Sequence, residues 1–147
     1  MARNYTPRDI IDLVARIREA ANLLIERELL ARGLAGVVPA HGLVFAFLFR
    51  QNEPVPIKAL VQQSGRVKST VTGMVNTLEK HGYIYKQDCS GDGRSTLIGL
   101  TEKGKAIRKD FEEISTLLGE QVYGDMPQDD RQHAIELLTV IEQNLNR

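Results

Sequence analysis

Between Arg66 and Lys86 the chain gathers side chains suited to polar recognition rather than to bond breaking. Ser69, Thr70, Thr72, Gly73, Asn76, Thr77 and Lys80 lie opposite an apolar stripe of Val71, Met74, Val75 and Leu78, spaced i, i+3, i+4 and i+7. Short hydroxyls near a helix start reach phosphate oxygens or base edges without steric conflict, and a helix N-terminus itself favours phosphate. Asn76 can offer a bidentate amide to adenine. Gly73 in mid-helix costs roughly 1 kcal/mol against alanine, which hints at close backbone approach to something bulky. Arg66, Lys68 and Lys86 would be phosphate contacts, each adding salt dependence rather than sequence preference.

Most amphipathic helices carry a solvated polar face, so the flanking elements decide. A short helix, IKALVQQS, precedes this one, with Ile57, Leu60 and Val61 facing inward and Gly65 supplying the turn. Gly82 stops the helix near His81. Tyr83–Gln87 and Thr96–Leu100 then have strand composition, and the glycine-rich segment 90–95 between them reads as a turn. Helix, turn, helix and hairpin in this order describe a winged helix-turn-helix, whose second helix can enter a DNA major groove. Arg94 at the hairpin tip suits a narrow minor groove, and Asp92 can orient it through a charge-assisted bond. A hairpin this small depends on packing against helices.

The rest of the chain is helical. Thr6 and Pro7 read as the cap and first turn of a helix running to about Arg32, with Ile10, Leu13, Val14, Ile17, Ala21, Leu24 and Glu28 in three- and four-residue steps. A second helix from Pro39 to about Gln51 is apolar on most faces and belongs deep in the core. The segment 52–56, with two prolines, reads as a loop. From Thr101 one helix carries Ile107, Phe111, Ile114, Leu117 and Leu118, and after a break at 124–127 a last helix carries Ala134, Leu138, Ile141 and Leu145. The fold class is mainly α with a small β-wing.

The charge balance is even, 19 basic and 19 acidic residues in 147, but its distribution is not. Residues 58–109 hold ten basic and four acidic side chains, a net of +6; the remainder holds nine basic and fifteen acidic, a net of −6. A basic middle between acidic ends suits one lobe that meets phosphates and another that does not. No apolar run reaches membrane-span length, the N-terminus lacks the apolar core of a secretory signal, and a single cysteine suits a reducing compartment. The expectation is a cytoplasmic protein with no membrane association.

Residues 65–104 resemble the MarR (multiple antibiotic resistance regulator) family of bacterial transcription factors. KSTVTGMVNTLEKHGYI is similar to its recognition helix and wing entry, Asp92-Gly93-Arg94 to its wing D-x-R motif, and Leu100-Thr101-Glu102-Lys103-Gly104 to its LTEKG signature. The resemblance implies a regulator, commonly a repressor, that binds double-stranded DNA as a homodimer and reads a pseudo-palindrome. It implies an intertwined helical dimerisation lobe: residues 1–36 as an N-terminal dimerisation helix, 37–104 as the winged DNA-binding domain and 105–147 as C-terminal dimerisation helices. It also implies a small aromatic or phenolic effector between the lobes, near which it places His41, and no cofactor. Val67 stands where the family often has a capping Ser or Asp, Gly73 where it often has arginine, and Gly93, Thr96 and Gly99 thin a wing often richer in Arg and Lys.

Other chemistries are poorly supported. His41, His81 and His133 share no metal-ligand spacing, and neither a nucleophile–base pair nor a phosphate loop is present, so an enzyme is not expected. Two alternatives stand beside the regulator: a winged-helix protein–protein adaptor without DNA binding, which the thinned wing and neutral balance would suit, and a thiol redox sensor acting through Cys89. A low-pKa thiolate needs a cationic setting, and adjacent Asp88 opposes Lys86 there.

Overall fold

Proline at position 7 opens the first ordered turn, and Asp9 closes it. The Thr6 backbone N–H and hydroxyl both donate to the Asp9 carboxylate at 2.8 Å, which holds that carboxyl below its usual range. The computed structural model describes residues 3–34, 36–88 and 96–147. After the 3-10 turn Pro7–Asp9, α1 spans Ile10–Ala31, and a second 3-10 turn, Pro39–His41, leads into α2, Gly42–Phe49. Next come β1 (Val55–Pro56), α3 (Ile57–Ser64), α4 (Lys68–Lys80), β2 (Ile84–Asp88) and β3 (Thr96–Leu100). The chain closes with α5 (Glu102–Ala106), α6 (Arg108–Tyr123) and α7 (Gln128–Leu145).

The apolar α2 lies at the centre of the winged lobe, with Val44, Phe45, Phe47 and Leu48 buried. They pack with Leu60, Val71, Val75, Leu78, Tyr83, Ile84 and Ile98, so α2, α3, α4 and the sheet share one core. Phe45 meets Tyr83 edge-on at 5.9 Å, and Phe49 meets Phe111 of α6 at 5.3 Å. The Phe49–Phe111 pair carries the core from the winged lobe toward α6.

Two sequence expectations require correction. The segment 52–56 is not wholly a loop: Val55 and Pro56 pair antiparallel with Ile98 and Leu97, giving a three-stranded sheet in the order β1-β3-β2 instead of a two-stranded hairpin. Two residues carry no readable alternation, and proline is tolerated here because β1 is an edge strand. The helix expected from Thr101 is two helices, α5 and α6, separated at Ile107, where ψ falls to 0°. Neither glycine nor proline marks that break, so the apolar periodicity runs through it.

Along α1, the periodic positions Ile10, Leu13, Ala21, Leu24 and Glu28 are half-buried, and Val14 and Ile17 are exposed. Leu29 is its one buried residue, while Ile11, Val14, Ile17, Leu23 and Leu30 are exposed. Arg32, just beyond α1, donates to Asp110 at 3.0 Å and Glu113 at 2.7 Å, fastening α1 to α6. Those two carboxylates, Glu113 first, raise its pKa further above the ordinary arginine value. No helix among the described residues is long and apolar enough to cross a membrane.

Candidate nucleic-acid interface

The turn between α3 and α4 rests on Gly65, at φ +64°, and Ser64. The Ser64 hydroxyl donates to the Val61 carbonyl at 3.0 Å and accepts from the Arg66 N–H at 3.1 Å. This sets α4 with Val71, Val75 and Leu78 fully buried and Met74 partly buried. The opposite face is open: Lys68, Ser69, Thr70, Gly73, Asn76, Thr77 and Lys80 are exposed, Thr72 is half-buried, and Arg66 is exposed just before the helix. The residues picked out by period thus share one outward face. Val67 is the N-cap, and no side chain caps the first turn, so its N–H groups are left to solvent or to an anion.

Two of these side chains are not free agents. The Thr77 hydroxyl donates to the Gly73 carbonyl at 3.0 Å, within its own helix. Lys86, expected as a phosphate contact, extends from β2 toward α4: its ammonium donates to Asn76 Oδ1 and lies 3.6 Å from Glu79 Oε1. Glu79 carries no signal in a search for phosphate ligands, because an acid is the wrong sign; only the fold brings it to Lys86. Asp92 and Arg94 of the wing tip, like Cys89 and Gly93, lie outside the described residues.

The LTEKG segment clamps the end of α4. The Thr101 hydroxyl donates to the Gly82 carbonyl at 2.5 Å and accepts the Gly104 N–H at 3.1 Å, while the Thr101 N–H donates to the Tyr83 carbonyl. Lys103 Nζ donates to the His81 carbonyl at 2.7 Å and sits 4.5 Å above the Tyr83 ring. A cation on the last carbonyls of a helix also complements its dipole. Spacing alone identifies this segment only as a helix start, not as the brace of the recognition helix.

His41 is buried, and its Nδ1 accepts the Val38 N–H at 3.1 Å, closing the 3-10 turn before α2. Burial, and secondarily the nearby His81, push its pKa below the ordinary histidine value, which keeps the ring neutral. Gly36 turns at φ +81° directly against the His81 ring, 2.3 Å from where its Cβ would stand. At the junction of α1, α2 and α6 lies a pocket of about 200 Å³, lined by residues that include Leu29, Val37, Phe45, Phe111, Ile114 and Leu118. Ser115 is the single polar side chain of its lining, which does not include His41.

A buried-core winged helix-turn-helix with an exposed, polar second helix is the class this geometry defines. Residues 47–96, within the winged lobe, match the model of the MarR family. The HTH-type transcriptional regulator SarZ of Staphylococcus aureus is 32% identical over 74 residues, half of each chain. The chain thus spans about half the length of the curated relatives it matches. Solved structures extend the likeness of fold to nearly the whole chain. PcaV of Streptomyces coelicolor, solved with its natural ligand, superposes with a TM-score of 0.80 at 17% identity, covering 97% of this chain and 98% of its own. MepR of S. aureus, solved as a DNA complex, gives a TM-score of 0.80 at 16% identity, covering 96% and 99%.

Proposed function

We propose that this protein is a sequence-specific, ligand-responsive transcriptional regulator, a repressor that binds a pseudo-palindromic operator as a cytoplasmic homodimer. One observation carries the reading: α4 presents Lys68, Ser69, Thr70, Gly73, Asn76 and Lys80 outward from a buried seam, braced at its C-terminus by Thr101 and Lys103. In this reading α4 enters the major groove and Arg66 and Lys68 meet phosphates; the sequence expectation of Arg94 in the flanking minor groove, with Asp92 beside it, lies outside the described residues.

The homodimer is supported by apolar surface that one chain leaves uncovered. Over its 18 residues α7 buries none, and Ile135, Leu137, Leu138, Val140 and Leu145 are exposed on it. Leu30 of α1 is 84% exposed. Amphipathic helices with bare apolar faces at both ends of a chain need a cover, and a two-fold copy supplies one symmetrically. The pocket beside Phe45 and Phe111 supports a small aromatic or phenolic effector, and its lining favours one without charge.

The test is selection of bound molecules from a randomised duplex pool at two salt concentrations, with mass determined in solution by light scattering. The reading expects a dimer, and enriched half-sites centred about 10 bp apart whose binding weakens steeply with salt. A folded dimer that enriches nothing at low salt would instead favour a protein–protein adaptor.

A further inference from the structure

The Lys86 ammonium joins two positions of α4 to the wing. Asn76 Oδ1 accepts its hydrogen bond, and Glu79, three residues further along the same exposed face, places Oε1 at 3.6 Å. The Lys86 and Glu79 side chains are 29% and 42% exposed, so the group lies on the surface that α4 offers to a partner. An ammonium has donors and no acceptor, so the Asn76 amide must turn its oxygen toward Lys86; the reversed amide would set N–H against N–H. Beside the Glu79 carboxylate, the groups left to meet a partner are then the Asn76 NH2 and the remaining Lys86 N–H, which are donors.

Base edges respond differently to such a surface. Adenine shows the major groove one acceptor, N7, and one donor, the N6 amino group, whereas guanine shows two acceptors, N7 and O6. A bidentate amide–adenine pair needs the Asn76 oxygen to accept from the amino group, which would bring that donor against the ammonium. The bidentate adenine contact open to Asn76 on sequence alone is therefore disfavoured here.

We propose that Lys86 and Asn76 act as one donor pair that selects guanine at one position of each DNA half-site, with Glu79 as the positioning residue that holds the Lys86 ammonium. This rests on the DNA-binding reading above. Lysine is a point charge on a flexible stem. With Glu79 in place, its ammonium stays on α4 and faces the bases; without Glu79 it is released toward phosphates, exchanging base preference for uniform electrostatic affinity.

The experiment runs the randomised-pool selection in parallel on wild type, Asn76→Ala, Lys86→Met and Glu79→Gln, with circular dichroism on each to verify folding, then measures salt dependence on the best duplex. Wild type is expected to enrich guanine at the position whose preference Asn76→Ala abolishes. Lys86→Met should move that position toward adenine, because the freed amide regains its bidentate pair, and leave other positions unchanged. Glu79→Gln should weaken the guanine preference roughly tenfold and steepen the salt dependence by about one phosphate contact.

Adenine at that position in wild type would overturn the proposal. So would Lys86→Met and Glu79→Gln variants that rescale affinity without moving any base preference, since Lys86 would then be a plain phosphate contact. Both outcomes leave the DNA-binding reading standing. Folded wild type that enriches no sequence removes that reading and the proposal with it.

Discussion

A Cβ placed on Gly104 would lie 2.1 Å from the carbonyl oxygen of Tyr83. That oxygen already accepts the Thr101 N–H, and it belongs to backbone between α4 and β2, so it cannot swing away as a side chain can. Gly104→Ala must therefore shift either α5 or the strand entry. We expect a loss of about 1–3 kcal/mol, the usual range for forced overpacking, read as a lower midpoint in urea denaturation. An alanine variant as stable as wild type would show that α5 is not held this tightly against the wing.

Gly73 is the opposite case. Nothing lies within 4 Å of where its Cβ would stand, and it occupies an exposed interior position of α4. Gly73→Ala should therefore stabilise the fold by roughly 1 kcal/mol, through helix propensity and a less flexible unfolded chain. If its absent side chain makes room for DNA, the same substitution should weaken binding to a selected duplex in a fluorescence anisotropy titration. A gain in melting temperature with unchanged affinity would leave Gly73 without a recognition role.

The contrast between these glycines shows what can be read from the sequence. The face of α4 is legible because period 3.6 separates Val71, Val75 and Leu78 from Ser69, Gly73, Asn76 and Lys80 over a helix long enough to repeat the pattern. The ladder of β2 and β3 is legible for the same kind of reason. Not legible is whatever depends on contact between distant segments: β1 against β3, Lys86 against Glu79, Lys103 on the His81 carbonyl, and the need for glycine at 104 but not at 73. The apolar stripe of α1 was legible as a stripe. Its period says that the face will be covered and does not say by what; within one chain Val14 and Ile17 of that stripe remain exposed and the rest is only half-buried.

His41 gives a pH prediction with a definite sign. Its folded pKa lies below its ordinary value of 6.5, from burial first and from the neighbouring His81 second. In the unfolded chain the ring takes its proton near the ordinary value, so below that pH the unfolded state binds more protons and is favoured. The contribution of His41 to stability is thus full above about pH 7 and is lost as pH falls through the unfolded pKa toward the folded one. His41→Gln keeps an acceptor for the Val38 N–H without titrating in this range. Urea midpoints measured at intervals between pH 7.5 and 5.5 should fall less steeply for His41→Gln than for wild type; parallel profiles would exclude His41 as the source of the slope.

The pocket between α1, α2 and α6 distinguishes two kinds of effector by charge alone. Its lining offers Phe45 and Phe111 to a flat ring and one hydroxyl, Ser115, but no cation. At about 200 Å³ it exceeds the roughly 150 Å³ of an engineered apolar cavity that holds benzene, so one or two fused rings fit. A carboxylate carried inside would lose its hydration without gaining a partner, at a cost of several kcal/mol. Isothermal titration with 2-naphthol and 2-naphthoate, matched in their rings, reads the difference directly and needs no DNA. The neutral phenol should bind at least roughly tenfold more tightly than the acid, and Leu118→Trp, which fills the pocket, should abolish its binding. Equal affinities, or tighter binding of the acid, would mean that a cation from the second copy completes the site, and the effector would then be an aromatic acid.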